Sequence, residues 1–142
     1  MTRTSPALTL RPAVMDDLPV LTVLNQQLIE DQHHGDPATL AELGRRMRQW
    51  LSGDYRVDIA ESGGAPVAYA VWREDEDGIL LRQFYVARGR RRTGIGRATM
   101  ELLERGWQGR AVRVSVLLPN ERAQAFFREI GFRDYSVVLR RD

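Results

Sequence analysis

Cysteine and lysine are both absent from this chain of 142 residues, and histidine occurs only twice. Without cysteine there is no disulfide, no thiol nucleophile and no thiolate-bound metal. A reducing, cytoplasmic setting is the expectation that fits. Without lysine, all 21 basic residues are arginine, which excludes a phosphate loop of the Gly-Lys-Ser/Thr kind. No Gly-x-Ser-x-Gly occurs, and His33 and His34 are adjacent, so they can neither share a helical face nor make a spaced metal pair. Ser–His–Asp hydrolysis and zinc chemistry therefore lack their parts, and no metal site is expected. No apolar run approaches the length of a membrane span, and no signal-peptide pattern opens the chain. A membrane partner is not expected either.

What is present reads as one ordinary globular domain. Hydrophobic content is 43% and charged content 28%, and the length suffices to bury a core. Residues 1–7 look like a loose, flexible tail, which leaves 8–142 as the expected domain. The net charge of +2 hides an asymmetry. Residues 1–79 carry 7 arginines against 13 acidic residues, whereas residues 80–142 carry 14 against 6. The basic half suits a polyanionic ligand, and the acidic half suits either a cationic partner or plain solvation.

The basic half is organised around LLRQFYVARGRRRTGIGRATMELL, residues 80–103. Its first seven residues are mostly apolar or aromatic, as a buried strand should be. Arg88, Arg90, Arg91 and Arg92 follow, then Gly94-Ile95-Gly96. Ile95, Ala98, Leu102 and Leu103 then recur at helical spacing. Strand, glycine turn and helix start together predict an anion site, because free N–H groups and the positive end of the helix dipole meet at the turn. The expected ligand bears phosphate. A dinucleotide fingerprint is excluded, since Thr99 stands where a third glycine is needed.

The rest of the chain alternates in a simple order. Leu8–Arg11 reads as a strand. Asp16-Asp17-Leu18-Pro19 opens a helix carrying Leu18, Leu21, Leu24 and Leu28, which runs to about Asp31. Asp36-Pro37 caps a second helix with Leu40, Leu43, Met47 and Leu51 facing inward, closed by Ser52-Gly53. Strands follow over Tyr55–Glu61 and Pro66–Trp72, with turns at Ser62-Gly63-Gly64 and at Glu74–Gly78. After the glycine turn and its helix, residues 111–118 alternate as a strand reached by a helical crossover. That strand should lie parallel to residues 80–86. Asn120 precedes a last helix with Ala123, Phe126, Phe127 and Ile130 on one face, and Gly131 and Phe132 terminate it. Tyr135, Val137 and Leu139 predict a closing strand. The fold class is α/β with one mixed sheet, in the order β-α-α-β-β-β-α-β-α-β.

Two motifs carry a family resemblance. Arg91-Arg92-Thr93-Gly94-Ile95-Gly96 resembles the Gln/Arg-x-x-Gly-x-Gly/Ala signature of the GNAT (GCN-related) N-acetyltransferases. Asn120, Ala123, Phe126, Phe127, Gly131 and Phe132 resemble that family's second coenzyme A region, Asn-x-x-Ala-x-x-Phe-Tyr-x-x-x-Gly-Phe. The element order is also that of the GNAT acyl-CoA N-acyltransferase fold, so the resemblance spans nearly the whole chain. It implies that acetyl-CoA lies between the strands at 80–86 and 111–118. Backbone groups of Phe84, Tyr85 and Val86 would pair with the pantetheine, with the Val86 N–H near the thioester carbonyl. Arg91, Arg92, Thr93, Gly94, Ile95, Gly96 and Arg97 would wrap the pyrophosphate. Asn120 and Phe127 would border the pantetheine arm. The implied reaction is acetyl transfer to a primary amine of a small molecule or peptide, by direct attack and without a covalent enzyme intermediate.

The proton carriers are where the sequence departs from the family. Phe127 occupies the position of the usual tyrosine acid, and Arg82 and Gln83 stand on a strand where many relatives keep a glutamate base. Glu30 and Asp31, at the end of the first helix, are candidate bases, with His33 and His34 nearby. Tyr85 and Tyr69 are candidate acids. Water as the proton carrier, or weak catalysis, would also explain the departure. The competing functions are a non-catalytic or weakly active acyl-CoA-binding module and, through Arg88–Arg97, a nucleic-acid binder. The last lacks aromatic stacking partners and a reading helix near the turn, so no nucleic-acid partner is expected. Monomer and homodimer are both compatible with the sequence.

Overall fold

The computed structural model describes residues 7–31, 39–91 and 93–142. Strand β1 (Leu8–Pro12) leads through a short 3-10 turn at Met15–Asp17 into helix α1 (Leu18–Asp31). Helix α2 (Leu40–Ser52) precedes three strands, β2 (Arg56–Ser62), β3 (Ala65–Asp75) and β4 (Gly78–Val86). Helix α3 (Ile95–Trp107), strand β5 (Val112–Val114) and helix α4 (Glu121–Glu129) complete the described elements. The strands form one sheet in the order β1-β2-β3-β4-β5. The first three pairings are antiparallel, while β4 and β5 are parallel across the α3 crossover. The predicted mixed α/β sheet is thus present.

Local chemistry explains most of the boundaries. Gly63 and Gly64 both take positive φ (60° and 83°), the backbone that a tight two-residue hairpin between β2 and β3 requires. The Asp75 carboxylate accepts from the Asp77 N–H at 2.9 Å and tightens the β3–β4 turn. Asp17 does not cap α1 itself. It accepts from the Val14 N–H at 2.8 Å at the start of the preceding 3-10 turn. The cap of α2 is Thr39, whose hydroxyl accepts from the Glu42 N–H at 3.2 Å; the predicted Asp36-Pro37 cap lies outside the described residues, as do His33, His34 and residues 1–6 of the predicted tail.

Alternation along the sheet divides the core. Tyr69, Val71 and Tyr85 pack with Leu21, Leu24, Leu28, Met47 and Trp50 of α1 and α2. Ala70, Trp72, Ile79 and Leu81 pack with Met100, Leu103 and Trp107 of α3 and Phe127 of α4. Successive β3 residues therefore enter different clusters, so the two helix pairs cover opposite faces. On α2 the inward set is Leu43, Met47 and Trp50, whereas Leu40 in the first turn is exposed.

Arg11 ties β1 to its neighbours. Its guanidinium donates two hydrogen bonds of 2.8 Å to Asp17 and one of 2.9 Å to Glu61. The Arg11 bonds hold the Asp17 carboxyl below the usual carboxylate range. Because the folded pKa is depressed, this stabilisation is present above the ordinary value of about 3.9 and is lost as pH falls through the folded value. Asp17→Ala should cost about 1–2 kcal/mol at pH 7, with a smaller difference near pH 3. Urea unfolding at the two pH values measures this; an equal loss at both would show that the carboxylate charge is not what matters.

Two strand expectations need correction. Residues 115–118 are not strand: β5 ends at Val114, because its β4 partner register stops at Leu81↔Val114. The closing strand over Tyr135–Leu139 does not form either. Residues 132–142 carry no strand or helix, and Tyr135, Val137, Val138 and Leu139 are 76–90% exposed. Their alternation satisfies the local pattern of a strand, but a strand also needs an edge to pair with, and β5 offers only three residues.

Candidate active site

The end of the β4–β5 ladder creates the site. Three register pairs, Ile79↔Val112, Leu80↔Arg113 and Leu81↔Val114, hold the strands together. Beyond them the chains diverge, and residues 82–86 of β4 face a cleft of about 1790 Å³ instead of a neighbouring strand. That exceeds the few hundred to ~1,000 Å³ of an ordinary small-ligand pocket, leaving room for an extended cosubstrate and an acceptor. Phe84, Tyr85 and Val86 line one wall, and Val114–Leu117 line the other. Backbone groups in a splayed ladder are free to pair with a ligand.

The glycine turn closes one end. Gly94 takes φ 82° as the residue before α3, and the first helical bond runs from the Ala98 N–H to the Gly94 carbonyl at 3.0 Å. The N–H groups of Ile95, Gly96 and Arg97 therefore have no partner within the helix. Thr93 donates its hydroxyl to the Arg90 carbonyl, which fixes the turn. Gly96 is needed for a different reason: a Cβ there would stand 2.9 Å from the Phe126 ring of α4. Gly94, Gly96, Arg91 and Arg97 all line the cleft. Arg92 lies outside the described residues. The donors, the positive helix end and the close approach permitted by glycine fit a pyrophosphate.

Helix α4 borders the cleft through Asn120, Ala123, Phe126 and Phe127. Asn120 is its N-cap, with Oδ1 accepting from the Ala123 N–H at 3.2 Å, which leaves the amide N–H2 and one carbonyl lone pair for a ligand. Gly131 has φ 110°, the Phe132 N–H donates to the Phe127 carbonyl at 2.9 Å, and the two rings pack 5.2 Å apart, as a glycine-terminated helix predicts. Phe127 is buried among Phe84, Phe126 and Phe132. It shapes the wall and carries no exchangeable proton.

Three of the candidate proton carriers, Glu30, Asp31 and Tyr85, gather at the end of α1. Asp31 accepts from the Tyr85 hydroxyl at 2.9 Å, from Arg88 at 2.8 Å and from Arg91. Burial alone would raise the Asp31 pKa, but the bonds from Arg91, Arg88 and Tyr85 overcome it and hold the carboxyl below its usual range. A carboxylate so well satisfied is a poor base. Tyr85 is pushed up to about 12, by burial first and by its bond to Asp31 second, so its phenol stays protonated at neutral pH. The Arg91 guanidinium also stacks over the Tyr85 ring, 5.1 Å from its centroid. Glu30 pairs with Arg88 at 2.9 Å and is not among the cleft-lining residues. Asp31 and Tyr85 do line it. Tyr69 is fully buried, which raises its pKa, and it does not line the cleft.

Several cleft residues have no signal in a motif. Leu28 and Ile29 of α1 and Arg46 and Trp50 of α2 also line the cleft. Asn25 is a further residue that motif reading misses. It is fully buried on the apolar face of α1 and donates to Tyr69 at 3.0 Å and to Gln83 at 2.8 Å. An asparagine in register with Leu21, Leu24 and Leu28 is the available clue. Among the described residues no group of three or more His, Asp or Glu could hold a metal, and no helix is long and apolar enough to cross a membrane.

Comparison with known proteins agrees with this geometry. Residues 22–132 match the model of the Acetyltransferase (GNAT) family. No curated protein sequence matches the chain. Among solved structures, a possible acetyltransferase from Clostridium difficile 630 superposes with a TM-score of 0.78 at 18% identity, over 95% of this chain and 96% of that one. An acetyltransferase from Thermus thermophilus gives 0.77 at 23% identity, over 91% and 88%. The aminoglycoside N-acetyltransferase AAC(6')-Iy, solved in complex with CoA, gives 0.70 at 18% identity, over 100% and 99%. At these identities the structures speak for the fold, and the matched span carries the family. With its glycine turn, splayed strands and capped last helix in place, this chain belongs to the GNAT acetyltransferase family.

Proposed function

We propose that this protein transfers an acetyl group from acetyl-CoA to a primary amine by direct attack on the thioester. The observation that carries the reading is the divergence of β4 and β5 after Leu81↔Val114, opening beside a helix N-terminus with free N–H groups. The CoA complex of a structural relative and the amine acceptor in that relative's name support it. Bound acetyl-CoA would supply the activated acetyl group. In the transfer a C–N bond forms, the C–S bond breaks, the amine loses a proton and the leaving thiolate gains one.

The residues divide that work. Arg91, Arg97 and the N–H groups at 95–97 bind phosphate, and the backbone groups of Phe84 and Val86 that point away from β3 orient the pantetheine. Tyr85 is the one phenol among the described cleft residues and stays protonated near neutrality, so it is the candidate donor to the thiolate once its O–H turns from Asp31. Asp31 holds Tyr85 and Arg91 in place and acts as a positioning residue. The absence of cysteine accords with a reducing cytoplasm.

Incubation with acetyl-CoA and an amine panel, followed by free thiol, tests the reading. Thiol release above the amine-free background is expected. With Asp31 held low and Tyr85 high, no described cleft residue is identified as a near-neutral base. The rising limb of kcat/KM against pH should therefore move with the pKa of the amine itself. A limb fixed at ~6.5 for every amine would instead point to a histidine base. One observation favours a second reading, a weakly active CoA-binding module: Phe127 sits in an aromatic cluster where the family carries an acid. Tight CoA binding without thiol release would establish that reading.

A further inference from the structure

The acceptor side of the cleft carries arginines that the cosubstrate does not explain. Among the described residues six arginines line the cleft (Arg46, Arg82, Arg91, Arg97, Arg122 and Arg140) against three carboxylates, Asp31, Glu121 and Glu129. Arg91 and Arg97 belong to the phosphate turn. Asp31 is already spent on Arg88 and Arg91, and Glu121 and Glu129 lie on α4, across the sheet from α2. Arg46 of α2 and Arg82 of β4 line the cleft while forming no ion pair and donating no side-chain hydrogen bond among the described residues. Arg140 meets only Asp142, beside it in the terminal segment.

Arg82 is placed in the cleft by a specific irregularity. Val71 of β3 faces Gln83 and Trp72 faces Leu81, so Arg82 is the extra residue of a β-bulge. A bulge re-aims a side chain at the cost of ladder regularity, and here it delivers a cation to the point where β4 leaves β5.

The neighbouring Gln83 adds a donor of fixed polarity. Its Oε1 accepts from Asn25 Nδ2 at 2.8 Å and from the Tyr69 hydroxyl at 2.9 Å, and Gln83 itself lines the cleft. With the carbonyl engaged by two buried partners, the amide N–H2 is what remains for a ligand. The Asn25 carbonyl has no partner among the described residues. Reversing that amide would bury an N–H2 there instead, and an orphaned buried N–H is the rarer and costlier state. The buried triad therefore keeps Gln83 as a donor.

We infer that the amine acceptor also carries a carboxylate, as an amino acid does, and that Arg46, Arg82 and the Gln83 amide receive it. Guanidinium groups match the planar carboxylate with paired N–H donors, and the same field disfavours polycationic acceptors. This inference rests on the acetyltransferase reading and names the acceptor class of that site.

The test compares α-amino acids, their carboxamides, and polyamines and aminoglycosides as acceptors for wild type and for the Arg46→Gln/Arg82→Gln double variant. Wild type should prefer an amino acid over its carboxamide by roughly tenfold or more in kcat/KM, mainly through KM. The double variant should erase that preference, with CoA affinity unchanged by calorimetry. Equal use of acid and amide, or preference for polycations, would overturn the inference. If no acceptor is turned over, the transferase reading fails on its own. Calorimetry of N-acetyl amino acids on the CoA-loaded protein then decides the carboxylate site: binding that the double variant loses upholds it, and no binding to wild type refutes it.

Discussion

Arg91→Ala combined with Gly96→Pro is expected to weaken CoA binding by roughly 100- to 4,000-fold while leaving a folded protein. Arg91 lines the cleft beside the proposed anion site, and a charge-assisted hydrogen bond to phosphate contributes about 1.5–3 kcal/mol. Proline at position 96 removes one of the free N–H groups of the first turn of α3, a similar loss, in a place where helix geometry tolerates proline. Together these give about 3–5 kcal/mol, each 1.4 kcal/mol being a factor of ten. The added ring carbons also crowd Phe126, since even a Cβ at 96 reaches within 2.9 Å of its ring. Circular dichroism should accompany the calorimetry, with Arg91→Ala alone as the variant free of that strain. Affinity unchanged in both folded variants would refute the phosphate turn.

Gly78→Ala should lower the melting temperature by about 10–20 °C and abolish CoA binding near the transition. Gly78 has φ 122°, a region that a side chain enters only with strain. More important, a Cβ there would stand 2.4 Å from the Ala111 carbonyl oxygen. That oxygen cannot simply retreat, because it accepts from the Ile79 N–H at 2.8 Å, the bond that begins the β4–β5 junction. With only three register pairs beyond it, the junction has little to spare. Strain and overpacking together cost about 3–5 kcal/mol, and each kcal/mol is worth about 3–5 °C in a domain of this size. A melting temperature within ~2 °C of wild type would show that the junction is softer than its geometry implies.

These two glycines separate what can be read from a chain and what cannot. Gly96 announces itself, because glycines after a buried strand and before a helical period have a short list of uses. Gly78 reads only as the end of an acidic hairpin, and its tight contact is with Ala111, distant in sequence. The same contrast holds elsewhere. Gly131-Phe132 is legible as a helix terminus, since capping involves neighbours within one turn. The closing strand at Tyr135–Leu139 is legible as a pattern and wrong as a structure, since strand pairing depends on an edge supplied by another part of the chain.

The cluster around Asp31 shows this most sharply. Asp31 in sequence is an acid at a helix end with the chemistry of a possible base. In the fold it meets Tyr85, Arg88 and Arg91, which lower its pKa and make it an anchor. Gln83 reads in sequence as a missing glutamate, yet Asn25 and Tyr69 turn it into a donor. By itself the sequence determined the mixed α/β order, the glycine turn that opens α3 and the family, because periodicity, glycine placement and capping are local properties of the chain. Only the tertiary structure decided where β4 and β5 part, which charges are spent on one another and which face the cleft. Those are sums over residues far apart in sequence, and burial and pairing set their sign.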